Sequence, residues 1–173
     1  LLSFDIIGVW HTFKLLTVLA KKALIYVPFF GQAAYLTDVI FIDRHSTSAK
    51  QTMNKAMKRL KEKNIKLWIF PEGTRRNTGA IHEFKKGAFH TAIEEEIAIV
   101  PVVFSTYKHF LDKERKIFND GEIIITALPE VSTKGMHLSD IDKLIDKVRS
   151  DMIEVYNRTS NEALQKSLKD IKN

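Results

Sequence analysis

Apolar and polar positions along this chain switch repeatedly between helical and strand spacing. Residues 5–19 carry apolar side chains all round (Ile6, Ile7, Val9, Trp10, Phe13, Leu15 and Leu16 among them), which predicts a buried helix with Asp5 near its start. Residues 23–35 are aromatic and broken by Pro28 and Gly31. They predict a short strand followed by a segment that faces membrane or ligand. Residues 39–42 predict a strand. An amphipathic helix follows over 46–63, with Met53, Ala56, Met57 and Leu60 on one face and lysines with Arg59 opposite. Residues 67–70 predict a buried strand, Asn77-Thr78-Gly79 a turn, 87–96 a helix, 97–104 a fully apolar strand and 122–128 another strand. Ser139 then caps a helix running to about residue 157, whose apolar stripe is Ile141, Leu144, Ile145, Val148, Met152 and Tyr156. Residues 159–173 are polar and lysine-rich and predict a frayed helix or a tail.

Alternation of helices with strands implies an α/β fold: a mostly parallel mixed sheet with helices on both faces. The expected organisation is one domain over residues 1–158 and a polar C-terminal tail over 159–173. No repeat, low-complexity segment or linker interrupts it.

Composition narrows the class. With 173 residues, 45% of them hydrophobic, and a mean hydropathy of −0.14, the chain can bury a core and is not of the disordered type. Twenty-seven basic residues against 21 acidic give a formal charge of +6, which favours anionic partners: phosphates, nucleic acid or an acidic membrane face. There are no cysteines, so disulfides, cysteine-bound zinc and a thiol nucleophile are excluded. No histidine pair has zinc-ligand spacing, and no metal is expected. Lys21 and Lys22 interrupt the most hydrophobic stretch, and no run reaches the ~18 apolar residues of a membrane span. The sequence opens mid-pattern at Leu1 and reads as a piece of a longer chain, with no secretory leader in view but room upstream for a membrane segment.

Two short stretches carry the chemistry. Phe41-Ile42-Asp43-Arg44 and Phe70-Pro71-Glu72-Gly73-Thr74-Arg75 each follow a short β-prone run, and each places an arginine at the mouth of a sheet. The planar guanidinium fork matches two phosphate oxygens, so Arg44 and Arg75 together suggest a phosphorylated substrate held at strand ends.

These stretches, followed by Ile99-Val100-Pro101-Val102, resemble in order and spacing the second, third and fourth blocks of the glycerolipid acyltransferase superfamily, above all its 1-acylglycerol-3-phosphate acyltransferases. Phe84-Lys85-Lys86-Gly87-Ala88-Phe89 is similar to the stretch after the third block. The likeness extends from Leu1 to about Arg149. The family's first block is Asn-His, four residues, then Asp; Ser3-Phe4-Asp5-Ile6-Ile7-Gly8 resembles its end, and counting back from Asp5 sets the block's histidine one position before Leu1.

A literal His-x-x-x-x-Asp does occur later, from His137 to Asp142. Ser139 and Asp142 stand there as N-cap and N3 of a helix, a capping arrangement that accounts for the carboxylate without catalysis. Its place after the final strand also departs from the family. His90 and His109 have glutamates five residues on and invite the same structural reading.

The resemblance implies an enzyme that moves an acyl group from acyl-CoA to the free hydroxyl of lysophosphatidic acid, giving phosphatidic acid in phospholipid biosynthesis. The alternatives are acylation of glycerol 3-phosphate or another lysophospholipid, or a non-catalytic lipid-binding module. A histidine is the natural base for a hydroxyl near neutral pH, and Asp5 would fix its tautomer. Transfer is expected to be direct, with acyl-CoA as co-substrate and no cofactor. Arg44 and Arg75 would hold the acceptor's phosphate. Lys21 would join them by resemblance, or would be a solvated lysine beside Lys22. Glu72, Gly73 and Thr74 would position the acceptor; Glu72 can equally pair an arginine, and Gly73 permits a tight turn. Pro101 would border an acyl channel, while Val100, Val102 and Val103 read as core. Lys85 and Lys86 face lipid headgroups or CoA phosphates, or plain solvent. Leu24, Ile25, Tyr26, Phe29 and Phe30 beside Lys21 and Lys22 resemble an interfacial patch, so a membrane surface, that of the endoplasmic reticulum, is the expected location. Nucleic acid is not an expected partner, since no recognition motif accompanies the basic residues.

Overall fold

The computed structural model describes residues 15–27, 39–43, 49–73, 78–112 and 114–170. They fall into two compact units, Leu1–Phe70 and Pro71–Asn173.

The first unit is built on three parallel strands: β1 (Leu16–Lys21), β2 (Ile40–Ile42) and β3 (Lys66–Trp68), in the order β2-β1-β3. β1 lies in the middle. β3 is in register with its first half (Leu16 opposite Lys66, Val18 opposite Trp68) and β2 with its second (Leu19 opposite Ile40, Lys21 opposite Ile42). The segment from Leu16 to Lys21 is a strand, not the continuation of a helix through residue 19. An apolar run is ambiguous by periodicity, and pairing on both sides decides for extended backbone here. A 3₁₀ turn over Lys22–Tyr26 then stands where a strand was expected. Residues 5–14 of the expected helix lie outside the described residues.

Between β2 and β3 runs α1 (Ala49–Glu62), as the spacing predicts. Met57 and Leu60 are buried, Met53 and Ala56 half-buried, and the helix packs on β2. It ends where Asn64 takes a left-handed conformation (φ 53°), which lets the Ile65 amide return to the Leu60 carbonyl at 2.9 Å. Asparagine tolerates that conformation better than most residues and is a common helix stop. β3 is half-buried rather than fully buried, and Phe70 beyond it is exposed.

The second unit centres on two helices, α2 (Lys86–Glu94) and α3 (Ile141–Asp170). Phe84, Phe89 and Ile93 pack there against Ile141, Leu144, Ile145 and Val148. Each such buried side chain contributes roughly 1.5–3 kcal/mol. Thr133 locks the end of α2: its buried hydroxyl lies 3.0 Å from both the Ala92 and the Ile97 carbonyls. Two antiparallel pairs complete the unit: β4 (Val102–Phe104) with β7 (Ile125–Ala127), and β5 (Leu111–Asp112) with β6 (Ile117–Phe118). The expected strand over 97–104 shortens to β4, with an isolated bridge from Ile99 to Val131. Val100 is 48% exposed and not core, whereas Val103 is 2% exposed.

α3 starts and ends differently from the sequence expectation. A 3₁₀ turn over Leu138–Asp140 precedes it, and the capping carboxylate is Asp140, whose Oδ2 accepts the His137 amide at 3.0 Å. Ser139 is therefore not the cap. A carboxylate three residues on reaches back to the starting amide, and Asp140 has that spacing from His137. At the other end the helix continues unbroken to Asp170, so residue 158 falls inside it. Thr159 and Ala163 are buried, the latter 1% exposed, and Ser160 Oγ accepts the Thr106 amide at 2.9 Å. These contacts hold residues 159–163 on the unit although their composition is polar.

Parallel strands joined through a helix in one unit, and helices packed with antiparallel pairs in the other, make the chain an α/β protein of mixed strand direction.

Candidate active site

In the first unit the three strands run the same way, so their carboxyl ends share one edge of the sheet. In open parallel sheets that edge is where ligands bind. β1 delivers Lys21 there, in backbone register with Ile42, the last residue of β2. Exposed Asp43 follows directly. The backbone thus brings the second block and Lys21 to neighbouring strand ends. Arg44 lies outside the described residues, as does the Lys21 side chain. Beyond Lys21 the 3₁₀ turn and Val27 after it present Lys22, Ile25, Tyr26 and Val27 to solvent, Tyr26 at 78% exposure.

From Pro71 on, the third block belongs to the second unit. Pro71 and Glu72 are half-buried, and Gly73 adopts φ 70°. A side chain at that φ is strained, which is why this turn carries glycine. Thr74 and Arg75 lie outside the described residues, as does Asp5. The Pro71 carbonyl accepts the Lys85 amide at 2.7 Å, so one backbone hydrogen bond closes the loop between the third block and the start of α2. The returning limb is held from the side. Arg149 of α3 donates from Nε to the His82 carbonyl (3.0 Å) and from Nη2 to the Ile81 carbonyl (3.1 Å). His82 Nε2 also lies 2.6 Å from Thr78 Oγ1.

Arg149 is a clamp on this limb that sequence reasoning missed. It follows Val148 in the buried stripe of α3, and an arginine beside an apolar stripe was the available signal. Its two donors satisfy carbonyls that no ladder reaches, on the loop that carries Glu72 and Gly73.

Pro101 is buried, and its carbonyl accepts the Leu128 amide at 2.9 Å, which ties the fourth block to the β4–β7 pair. In the stretch after the third block Phe84 and Phe89 belong to the core, with ring centroids 6.0 Å apart, while Lys85 and Lys86 are exposed. Lys86 Nζ is 2.6 Å from Asp142 Oδ1. Asp142 is thus the counter-ion of a surface lysine, and the His137 amide is engaged by Asp140. Neither residue needs a catalytic role to account for its place.

Two further histidines also have local explanations. His90 Nδ1 is 3.4 Å from Glu94 Oε2 one turn along α2. His109 stands edge-on to Phe110, with centroids 4.9 Å apart and both ring nitrogens buried without a hydrogen-bond partner. Burial lowers its pKa below the ordinary imidazole value. At the head of the β5–β6 pair, Asp112 Oδ1 accepts the Glu114 and Arg115 amides at 2.9 and 3.1 Å. The Arg115 amide above all holds its pKa below the usual carboxylate value. Among the described residues no group of three or more histidines, aspartates or glutamates could hold a metal ion, and no helix is long and apolar enough to cross a membrane.

Residues 3–105 match the family model described as Acyltransferase. The chain is 41% identical over 170 residues to acl-2 of Caenorhabditis elegans, covering 95% of this chain and 60% of that protein. It is 36% identical over 162 residues to the human 1-acyl-sn-glycerol-3-phosphate acyltransferase alpha, covering 92% and 57%. The crystal structure of PlsC, the 1-acyl-sn-glycerophosphate (LPA) acyltransferase from Thermotoga maritima, superposes with a TM-score of 0.59 at 24% identity, over 80% of this chain and 55% of that one. The chain spans somewhat more than half the length of these relatives. With the second to fourth blocks all inside the matched range, the chain belongs to the Acyltransferase family and has its α/β fold.

Proposed function

We propose that this chain is the core of an enzyme that transfers an acyl group from acyl-CoA to the free hydroxyl of lysophosphatidic acid, forming phosphatidic acid for phospholipid synthesis. The observation that carries this reading is the similarity to 1-acyl-sn-glycerol-3-phosphate acyltransferase alpha over 92% of the chain, with the block residues in order. The backbone is consistent with it, since Lys21 and the second block leave the sheet at its carboxyl edge.

The proposed reaction needs few groups. A histidine five positions before Asp5, as in the family's first block, accepts the acceptor hydroxyl's proton, while Asp5 holds the other ring nitrogen. The oxygen attacks the thioester carbonyl, the C–S bond breaks, and the CoA thiolate takes the proton from the imidazolium. Arg44, Arg75 and Lys21 hold the acceptor phosphate; Glu72, Gly73 and Thr74 orient the glycerol backbone; Pro101 borders the acyl chain. No cofactor enters this scheme. The reaction takes place at a membrane surface, that of the endoplasmic reticulum, with Ile25, Tyr26 and Val27 as the apolar contact: exposed apolar and tyrosine side chains beside Lys22 suit the headgroup boundary.

The test is thiol release from acyl-CoA by the full-length protein, with lysophosphatidic acid, glycerol 3-phosphate or another lysophospholipid as acceptor. Turnover with lysophosphatidic acid that collapses in Asp5→Asn supports the reading. Preference for glycerol 3-phosphate reassigns the acceptor, and lipid binding with no turnover makes the protein a binding module.

A further inference from the structure

The positive charge of this chain is concentrated in one place. Between residues 50 and 66, six lysines and Arg59 stand against Glu62 alone, so this stretch carries a charge equal to the formal +6 of the whole chain. It comprises α1, the turn after it and the first residue of β3. Because Met57 and Leu60 are buried, the opposite side of the helix faces solvent, and Lys55 and Lys58 lie on it with Glu62 between them; all three are exposed. Lysines in a last helical turn complement the macrodipole, which accounts for Arg59 and Lys61 but not for Lys55, Lys58 or Lys66.

The location separates this face from the proposed phosphate site. Strand polarity puts Lys21 and Asp43 at the carboxyl edge of the sheet, whereas Lys66 opens β3 at the amino edge. Leu15 accompanies Lys66 there, joined by a 2.9 Å bond from the Lys66 amide to the Leu15 carbonyl, and is 63% exposed. Lysines spread over a helix face, with an apolar side chain at its margin, match a charged lipid surface. Nucleic acid fits less well, since residues 50–66 contain no aromatic or histidine side chain on which a base could stack.

We propose that the outer face of α1, with Lys66, docks electrostatically on an anionic bilayer surface, at a site distinct from the substrate site. This rests on the lipid-acylating function above and adds a regulatory consequence. Phosphatidic acid is itself an anionic lipid, so product accumulating in the bilayer would prolong the enzyme's stay there.

The experiment is vesicle co-sedimentation of the full-length protein on phosphatidylcholine alone and on phosphatidylcholine with 30% phosphatidylglycerol, the latter at low and high salt. Binding should rise with the anionic lipid and fall with salt. Lys55→Gln with Lys58→Gln should weaken it by about twenty-five-fold, at about fivefold per lysine near a charged surface. Lys55→Arg with Lys58→Arg should retain it. Acyl transfer in neutral detergent micelles should be unchanged in both pairs. Equal binding to neutral and anionic vesicles, or full binding by the glutamine pair, would overturn the proposal, as would binding of duplex DNA through these lysines in place of vesicles. An enzyme that binds as described but never transfers acyl groups removes the catalytic reading and leaves the docking surface standing.

Discussion

Arg149, on the long C-terminal helix, holds the carbonyl of His82 at 3.0 Å and so fixes the limb by which the third block returns to α2. Hydrogen bonds from a charged donor to half-buried carbonyls are among the stronger single polar contacts of a fold. Arg149→Ala should lower stability by roughly 1.5–3 kcal/mol, read from urea unfolding. Arg149→Lys should recover only part of the loss, because a point charge cannot reach both carbonyls in the planar fork geometry. If the loop positions the acceptor, both variants also raise KM for lysophosphatidic acid more than they lower kcat. Equal stability of Arg149→Ala and the parent would remove the clamp.

Arg75→Ala should reduce kcat/KM for a phosphate-bearing acceptor roughly ten- to hundredfold, the equivalent of one charge-assisted contact of about 1.5–3 kcal/mol. His137→Ala should leave turnover unchanged, since the Asp142 carboxylate is paired with Lys86 and not with the His137 ring. Acyl-CoA thiol release measures both. A dead His137→Ala enzyme with normal folding would return catalysis to the late His-x-x-x-x-Asp pair.

His109 sets one pH dependence. Its pKa is lowered by burial, so the folded protein resists a proton that the unfolded chain accepts near the ordinary imidazole value of about 6.5. Its stabilisation is complete above that value and declines as pH falls through the lowered folded pKa. Asp112, whose pKa is also lowered, contributes above the ordinary carboxylate value and loses that contribution as pH falls through its folded pKa. Denaturant midpoints should therefore drop in two stages on acidification, and His109→Gln should remove the upper one. An unaltered upper stage in that variant would assign it elsewhere.

Gly121 shows a tight contact of another kind. A Cβ built there would lie 2.1 Å from Phe110 Cδ1. Gly121→Ala should cost about 1–3 kcal/mol through displacement of the ring. In a double-mutant cycle, adding Gly121→Ala to Phe110→Ala should cost less than it does alone, though not nothing, since the ring atoms are gone while the Cβ of residue 110 remains 2.7 Å from the added one. Additive losses would show that the backbone at residue 121, not the ring, demands glycine.

Legibility of the chain followed the range of the forces involved. The amphipathic stripe of α1, the apolar stripe of α3 and the strand character of β2 and β4 are local patterns, and the sequence alone determined them along with the family blocks. The blocks were likewise readable as residue types at fixed spacing, and the family match spans them, while Asp5, Arg44, Thr74 and Arg75 lie outside the described residues. Tertiary structure decided the rest. Leu16–Lys21 is a strand because partners flank it on both sides, and an isolated apolar run cannot carry that information. Asp140 rather than Ser139 supplies the capping oxygen because the 3₁₀ turn before the last helix starts from His137, two residues ahead of Ser139. Residues 159–163 are held because Thr159, Ser160 and Ala163 meet the body of the unit, a long-range contact that polar composition hides. Arg149 acquires its role only when a loop 67 residues away in sequence is folded against it. Short-range periodicity is written in neighbouring residues, whereas pairing, capping register and clamps depend on which distant segments the fold brings into contact.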